Sequence, residues 1–409
     1  MKLLLSAYAC RPNMGSEPAV GWNWILELSK YYQLTVLTNF TNKPYIDSYI
    51  EQYGEISNTS FIYVRPNKKL TFWYKEWERF ERLYYILWQK KALKIALKLN
   101  KATSFDAVQH LTYVTCVMPT YMYKLGIPFI YGPISGGEKI PAILKVPMNK
   151  KEKLVEIIRT LTLLIPKSSL NTQRAFKAAS KIIVVTNDTK NLVPAKYRNK
   201  VEICQAISLN EAYFNERKKI KANSSTLKVL IAGRMLAWKG FDLGIDAVLR
   251  TLEQSIDIEL TVLGTGNAGY MNNLKNKAGK YLNNKIFFVD KVKYDEMPHF
   301  YDNFDILLNC SLRDSGCLVV MEAMGRGLPI ICVNTGGPAV NTDESCAIKV
   351  EPALYNDTVE NLASALIKVK EDKKLRDSMA LNSRLFAEKH FKSDVKIKNL
   401  LWLYDEAVK

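Results

Sequence analysis

The sequence predicts an α/β protein made of two doubly wound domains. The chain has 409 residues, of which 48% are hydrophobic, and this length suits two hydrophobic cores better than one. Short apolar runs alternate with longer amphipathic or basic segments, as in parallel sheets that are covered by helices. The apolar runs stop near residues 208–225, where the polar stretch NERKKIKANSS intervenes, and then resume.

The apolar runs predict the strands in chain order. We expect seven strands in the first half, namely LLLSAY, QLTVLTN, FIYVR, AVQHL, PFIYGP, KIIVVT and VEICQ. We expect five strands in the second half, LKVLIAG, IELTVLG, KIFFVD, DILLNC and LPIICV, with helices that begin near Phe241, Tyr270, Glu296, Val319 and Val359. A long helical segment follows from about Leu375. The predicted domains are 1–207 and 208–385, and the terminal helix 386–409 is expected to return to the first domain.

Composition excludes several classes of protein. No apolar run approaches the roughly 18 residues of a membrane-spanning helix, and MKLLLSAYAC fits a first buried strand better than a secretory signal. A cytoplasmic protein is therefore expected. The seven cysteines include no CxxC pair, which indicates reduced, packed thiols. The three histidines, His110, His299 and His390, follow no metal-binding pattern.

The positive charge is concentrated in the first half of the chain. The whole chain carries a net charge of +18. Residues 65–101 hold 11 Lys and Arg against 3 Asp and Glu, and residues 139–181 hold 10 against 2. These two segments are predicted to contact an anionic membrane, at the inner face of the cytoplasmic membrane. No nucleic-acid partner is expected, because no recognised binding motif accompanies the charge.

An aromatic stripe lies within the first basic segment. Its members recur at alternating steps of four and three residues, and they are Trp73, Trp77, Phe80, Tyr84 and Leu87. This spacing gives one apolar face to a helix, and beside a basic face it resembles a helix that lies on an anionic bilayer. The alternative is a helix whose aromatic face packs on its own domain.

One segment of the second half places two carboxylates, Asp314 and Glu322, around a glycine turn that leads into a helix. Carboxylates accept hydrogen bonds from sugar or ribose hydroxyls. The backbone amides of Gly316, Cys317 and Leu318 are donors at a helix start, where an anion can bind. The combination suits a nucleotide sugar. The alternative is an ordinary helix start with Asp314 as its capping acid and Glu322 on the solvated face.

Two cations follow the first strand of the second half. In KVLIAGRMLAWKG a strand ends at Gly233, and Arg234 and Lys239 flank the next loop. Open α/β sheets bind their ligands at the carboxyl ends of the strands. Paired cations at that edge suit a diphosphate leaving group, on which negative charge grows. The alternative is that both residues are ordinary surface charges.

A competing motif is GTGNAG, whose Gly264, Gly266 and Gly269 match the dinucleotide-binding fingerprint. Asp290 follows about twenty residues on, as that fingerprint requires. The motif lies on the second strand of its domain, however, and not in the first strand–helix turn. We interpret it as a glycine-rich loop of a nucleotide-binding domain, and an NAD-dependent oxidoreductase remains the alternative.

Taken together, these motifs resemble those of a known family. In order and spacing, GRMLAWKG, VLGTGN, the segment from Asp314 to Glu322 and LPIICVNTGGP resemble the C-terminal domain of the retaining glycosyltransferases of family four, the glycosyl transferases group 1. In the first half, GSEPAVGWNW, VQHLTYVTC and IPFIYGPISGGEKIP look similar to bacterial members that build surface polysaccharides.

The resemblance implies a fold and a reaction. The fold is GT-B, in which two Rossmann-like domains face each other across a cleft. The reaction transfers a sugar from a UDP- or GDP-sugar to a hydroxyl of a glycan or lipid-linked acceptor, with retention and without metal or cofactor. The departing phosphate takes the acceptor proton on the same face. A relative that binds a nucleotide but has lost activity remains an alternative.

The resemblance also implies roles for residues of the second half. Arg234 and Lys239 would bind the donor diphosphate, and Glu322 the ribose hydroxyls. Asp314 stands where the family has the first Glu of an E-x7-E pair, and its side chain is one methylene shorter. The backbone around Gly233, Gly264 and Gly266, and the amides of Gly316, Cys317 and Leu318, would complete the donor site.

In the first half, the resemblance implies that Gly15 and Ser16 form a loop over the diphosphate. His110 would contact the donor sugar, although a lone histidine at a strand end is more often structural. Glu17 and Glu138 are expected on loops that face the cleft, where they would orient the acceptor, and neither is assigned as a base.

Overall fold

The computed structural model describes residues 1–15, 17–66, 81–118, 120–144, 148–216, 225–293 and 295–409. The chain divides into two compact units. The first consists of Met1–Gly137, Thr160–Ser208 and Ser393–Lys409, and the second of Glu138–Arg159 and Leu209–Lys392. Residues 138–159, which the sequence had placed with the first domain, thus group with the second unit.

Thirteen strands lie within the described residues. They are β1 Lys2–Ser6, β2 Gln33–Asn39, β3 Thr59–Val64, β4 Ala107–His110, β5 Phe129–Ile134, β6 Ala179–Val184, β7 Val201–Ile203, β8 Leu227–Ala232, β9 Ile258–Leu263, β10 Ile286–Val289, β11 Ile306–Asn309, β12 Ile330–Val333 and β13 Ala347–Val350.

Sixteen α-helices lie within the same part of the chain. They are α1 Glu17–Leu28, α2 Lys43–Tyr53, α3 Glu81–Thr103, α4 Lys150–Thr162, α5 Ile165–Ser168, α6 Leu170–Ala178, α7 Asn187–Leu192, α8 Phe241–Glu253, α9 Ala268–Ala278, α10 Met297–Tyr301, α11 Leu318–Gly325, α12 Gly336–Val340, α13 Tyr355–Glu371, α14 Lys373–His390, α15 Ser393–Lys398 and α16 Leu401–Val408. Short 3-10 turns lie at Phe40–Asn42, Met122–Leu125, Ala195–Lys200, Glu211–Phe214, Ala237–Lys239 and Gly279–Tyr281.

The first unit holds a seven-stranded sheet in the order β3-β2-β1-β4-β5-β6-β7. All the strand pairs are parallel, and Leu4 of β1 lies opposite Thr35 of β2 on one side and Val108 of β4 on the other. Leu4 and Val108 are fully buried, because helices cover both faces of a parallel sheet.

The second unit holds a six-stranded parallel sheet in the order β10-β9-β8-β11-β12-β13. The covering helices show the expected periodicity. In α8, for example, the buried residues Phe241, Ile245 and Val248 are spaced by four and three residues, which directs them to one face. These side chains belong to one continuous core of the second unit.

The two doubly wound sheets confirm the predicted fold class. Each of the twelve predicted strands is present. Two features differ from the prediction: the sheet of the second unit gains β13, and the segment after Leu375 forms three helices, α14 to α16, instead of one. No described helix is long and apolar enough to cross a membrane.

Candidate functional site

The predicted cations and carboxylates of the second half flank the central strand of their sheet. β8 is hydrogen-bonded to β9 on one side and to β11 on the other. After β8 the chain therefore adds β9 and β10 on one side of this strand and then β11 to β13 on its other side. Open α/β sheets bind ligands outside the carboxyl ends of the strands at such a switch point. Lys239 lies in the loop after β8, and Asp314 in the loop after β11.

These two loops are packed directly on each other. The backbone N–H of Leu312 donates to the carbonyl of Trp238 at 2.9 Å. Gly240 has φ +69°, and a Cβ added there would lie 2.0 Å from the carbonyl oxygen of Cys310. Only glycine fits this contact, because a side chain would clash with backbone and the backbone is in the left-handed region. The loops therefore present their side chains from one fixed platform.

Lys239 and Asp314 form an ion pair on this platform. The lysine Nζ donates to one carboxylate oxygen, and the side chains are only 19% and 16% exposed. The other carboxylate oxygen accepts from the backbone N–H of Cys317 at 3.3 Å. The structure thus brings two of the predicted site residues together. It also fixes the orientation of the carboxylate from two sides.

The three predicted amides differ in what they bind. Cys317 has φ +44° and its N–H is bonded to Asp314, which removes it as a donor for a ligand in this arrangement. The N–H groups of Gly316 and Leu318 have no acceptor among the described residues. Since Leu318 begins α11, the helix start retains two backbone donors beside the ion pair.

Glu322 lies inside the unit, on α11. It is 6% exposed, and its two oxygens accept hydrogen bonds from the hydroxyls of Tyr213 at 2.7 Å and Tyr301 at 2.8 Å. Burial raises the pKa of Glu322 to about 7, against the two tyrosine hydrogen bonds, which lower it. The solvated-face alternative is therefore wrong. A carboxylate keeps further acceptor sites, and contact with ribose stays a prediction. The sequence did not point to either tyrosine.

Arg234 differs from Lys239 in having an exposed side chain. It forms no hydrogen bond or ion pair with the residues that the structure describes. It directly follows Gly233, which has φ +143° and lies immediately after the end of β8. Its guanidinium is consequently available to an incoming anion.

The glycines of GTGNAG are explained by loop packing. Gly264 has φ +143°, and a Cβ there would lie 1.8 Å from the carbonyl oxygen of Gly233. A Cβ on Gly266 would lie 2.3 Å from the carbonyl oxygen of Met235. The N–H of Met235 also donates to the carbonyl of Thr265 at 2.8 Å. The loops after β8 and β9 thus run side by side, and only residues without a side chain permit that approach.

The helix after this motif is already capped. The side-chain oxygen of Asn267 accepts from the N–H groups of Gly269 at 3.0 Å and Tyr270 at 3.4 Å. A dinucleotide fingerprint instead leaves the first amides of its helix for the pyrophosphate. The contacts therefore favour the interpretation as a glycine-rich loop.

Glu138 contacts the loop that carries Asp314. It is 2% exposed, and its carboxylate accepts a hydrogen bond from the hydroxyl of Ser315 at 2.5 Å. Arg159 donates to the carbonyl oxygen of Glu138 at 2.7 Å, and Leu144 is part of the core of the second unit. The sequence did not predict these contacts of Glu138. That Glu138 orients the acceptor stays a prediction.

Arg313, next to Asp314, makes further contacts that hold the same loop. Its guanidinium lies 4.4 Å from the ring centroid of Trp238, and its Nη2 is 3.2 Å from a carboxylate oxygen of Glu156. The sequence did not single out Arg313, Trp238 or Ser315. Their only signal was position beside a predicted site residue.

The predicted residues of the first unit lie near the switch point between β1 and β4. Gly15 is exposed in the loop after β1, and Ser16 lies outside the described residues. Glu17 was expected on a loop, but it is the first residue of α1. Its carboxylate accepts from the backbone N–H of Tyr113 at 2.9 Å, and burial raises its pKa.

His110 ends β4 and is 1% exposed. Its Nε2 lies 2.9 Å from the hydroxyl of Tyr85 and 3.2 Å from Nε2 of Gln89, and its Nδ1 lies 3.1 Å from the hydroxyl of Ser6. Burial lowers the pKa of His110 to about 3, so the ring is neutral at physiological pH. These contacts favour the structural alternative. A contact with the donor sugar stays an untested prediction.

The described part of the aromatic stripe packs inside the first unit. Tyr84 is 4% exposed and belongs to the core, and Leu87 is half-buried. Trp73, Trp77 and Phe80 lie outside the described residues.

Among the residues that the structure describes, no group of three or more His, Cys, Asp or Glu side chains is placed to hold a metal ion, and the expected independence of metal stays a prediction.

Comparison with known proteins identifies the second unit. Residues 213–386 match the family model described as Glycosyl transferases group 1. The chain carries a group 1 glycosyltransferase domain. The matched segment contains Lys239, Asp314 and Glu322, and the predicted resemblance to the glycosyl transferases group 1 is confirmed for this segment.

A sequence relative agrees with this match, and solved structures share the fold. An uncharacterised glycosyltransferase, MJ1069, of Methanocaldococcus jannaschii is 24% identical over 240 residues, which are 57% of this chain and 60% of the relative. The chain thus spans less than two thirds of this curated relative. The structure of Anabaena HepE in complex with UDP has a TM-score of 0.63 at 15% identity and covers 98% of this chain and 100% of HepE. WaaG, a glycosyltransferase involved in lipopolysaccharide biosynthesis, has a TM-score of 0.56 at 15% identity, and the match covers 98% of this chain and 99% of WaaG. These structural likenesses show the GT-B fold.

Proposed function

We propose that this protein is a retaining, metal-independent glycosyltransferase that moves a sugar from a nucleoside diphosphate sugar to an acceptor hydroxyl. The observation that carries the proposal is the ion pair of Lys239 with Asp314 at the switch point of a group 1 glycosyltransferase domain. The pair supports the proposal because a lysine ammonium suits a diphosphate and a carboxylate suits sugar hydroxyls. HepE, which shares the fold, has been crystallised with UDP and with UDP-glucose.

The reaction uses the two cations at the leaving group. As the bond between the anomeric carbon and the diphosphate oxygen breaks, negative charge grows on the diphosphate, and Lys239 and Arg234 stabilise it. The N–H groups of Gly316 and Leu318 add two donors at the start of α11. The acceptor oxygen bonds to the anomeric carbon on the face that the diphosphate leaves, and its proton passes to the departing phosphate oxygen.

The proposed acceptor is a glycan or lipid-linked intermediate of cell-surface polysaccharide synthesis, on the cytoplasmic side of the membrane. Two observations support this class of acceptor. The fold is shared with WaaG, which acts in lipopolysaccharide biosynthesis, and residues 139–181 carry 10 basic against 2 acidic side chains. A basic surface attracts both phosphate-linked acceptors and anionic lipids.

The alternative of an NAD-dependent oxidoreductase has less support. Its fingerprint requires free amides at the start of α9, and Asn267 already caps two of them. An inactive nucleotide-binding protein would keep the same fold. It is distinguished from the proposed enzyme by activity alone.

Ligand-dependent unfolding tests the choice of nucleotide. UDP or GDP at about 100 times its dissociation constant is expected to stabilise the protein by about 2.7 kcal/mol, which raises the thermal unfolding temperature, whereas NAD has no effect. Stabilisation by NAD, with none by either diphosphate, would overturn the proposal.

A matched pair of variants tests the site. Lys239→Ala is expected to abolish the stabilisation by the diphosphate and to abolish sugar transfer from a radiolabelled donor. Lys277→Ala is the control, because Lys277 forms a similarly half-buried ion pair with Asp246 on α9 and α8. Transfer at the wild-type rate by Lys239→Ala would refute the assignment.

A further inference from the structure

Helix α4 exposes an apolar surface. Five of its large apolar side chains are each more than half exposed, and they are Leu154 (57%), Val155 (52%), Ile157 (59%), Ile158 (53%) and Leu161 (59%). None of them belongs to a core cluster of the described residues. A surface helix of a globular protein normally turns such residues inward. A contiguous apolar surface of this kind marks a site of interaction.

Two charged side chains in the middle of α4, Glu156 and Arg159, instead face the protein. The side chains of Glu156 and Arg159 are 16% and 19% exposed. Glu156 pairs with Arg313, and Arg159 donates to the carbonyl of Glu138. The remaining acid, Glu152, is used in the cap of the helix, since it accepts from the N–H of Asn149 at 2.9 Å while its own N–H donates back to Asn149. The helix therefore exposes its large apolar side chains while Glu156 and Arg159 are turned toward the protein.

The outward charges of α4 are all positive. Lys150, Lys151 and Lys153 are exposed at its start, whereas Glu156 pairs with Arg313 and Glu152 is bonded to Asn149. An apolar face with lysines beside it is typical of helices that lie in the interface of a membrane. Each such lysine near an anionic surface contributes roughly 1 kcal/mol of attraction. This charge complementarity points to anionic lipid as the occupant.

We propose that α4 docks on an anionic phospholipid bilayer, with Leu154, Val155 and Ile158 inserted among the acyl chains and the lysines at the headgroups. The opposite face of α4 contacts Arg313, the neighbour of Asp314. Only the thickness of one helix, about 10–12 Å, then separates the lipid from the loop of the candidate site. Docking itself does not rest on the proposed transfer reaction, because lipid binding is measured without it.

Vesicle flotation of the full chain tests the docking. Vesicles of phosphatidylcholine are compared with vesicles that also contain phosphatidylglycerol, at low salt. The wild type is expected to float only with the anionic vesicles. The double variant Leu154→Ser/Ile158→Ser is expected to lower the partition coefficient at least about tenfold, and so is the charge-reversed variant of the three lysines.

The control is Leu381→Ser/Leu385→Ser on α14. Those leucines are 61% and 54% exposed and are also four residues apart, so the control removes equal apolar surface elsewhere. It is expected to float like the wild type. Equal flotation with both kinds of vesicle, equal loss in both double variants, or wild-type flotation of Leu154→Ser/Ile158→Ser would overturn the proposal. So would a wild-type dimer in light scattering that Leu154→Ser/Ile158→Ser makes monomeric, because a second copy would then cover α4.

Discussion

The buried carboxyl of Glu322 makes the stability of the second unit depend on pH. Burial raises its pKa to about 7 from an ordinary 4.5. The folded protein therefore holds this proton more tightly than the unfolded chain, so the contribution of Glu322 to stability is fully present below about pH 4.5 and is lost as the pH rises through about 7. At about 1.4 kcal/mol for each pKa unit, the loss is about 3 kcal/mol, and most of it falls between about pH 5 and pH 8.

Glu322→Gln removes this titration and keeps the shape of the side chain. The amide still offers one acceptor and two donors to the hydroxyls of Tyr213 and Tyr301. We expect the free energy of unfolding of the variant minus that of the wild type to increase by about 2–3 kcal/mol from about pH 5 to about pH 8. Urea unfolding of both proteins at the two pH values measures it, because the difference between the proteins cancels the groups that they share.

A second variant checks the cause. Tyr301→Phe deletes a hydrogen bond that lowers the pKa of Glu322, so the pKa rises further and the loss of stability extends to higher pH. Parallel pH dependence of wild type and Glu322→Gln would refute the reasoning. It would mean that Glu322 is charged in the folded protein over this whole range.

Two further predictions concern stability in the second unit. Gly264→Ala is expected to destabilise the protein by about 3 kcal/mol or more in urea unfolding, because its Cβ would overlap the carbonyl of Gly233. Gly279 has φ +53° and open space around it, so Gly279→Ala should destabilise the protein by only about 1–2 kcal/mol. Arg326→Ala should lower the free energy of unfolding by about 3–5 kcal/mol, since Arg326 is fully buried and bonds both oxygens of Asp302. Adding Asp302→Asn removes the charge left without its partner and should recover part of this stability. No recovery would contradict the charge-based explanation.

The sequence predicted the sheets well, because their strands are buried on both faces and appear as continuous apolar runs. β13 escaped prediction. Its four residues, AIKV, place half-buried Ile348 and Lys349 between buried ends, and so short a run with a lysine in it differs little from a loop. The division after Leu375 was also missed, because the breaks near Phe391 and Asn399 contain no glycine or proline.

Contacts between distant parts of the chain were beyond the reach of sequence patterns. Glu138 bonds Ser315 across 177 residues, and nothing in either local sequence specifies that pairing. The same limit applies to Glu322, where the spacing to Asp314 was visible but the enclosing tyrosines were not. His110 shows the opposite case: its position at a strand end was predicted, while its burial among Tyr85, Gln89 and Ser6 depends on the packing of α3.

The ion pair at the centre of the candidate site is compatible with binding a diphosphate. A lysine ammonium has three donors, and Asp314 accepts one of them. Two donors remain for phosphate oxygens, so a donor substrate need not break the pair. Asp314 in turn keeps its orientation through the N–H of Cys317. With its carboxylate anchored to the loop, Asp314 holds the ammonium group of Lys239 in place, and we expect the same residue to offer acceptors to the sugar.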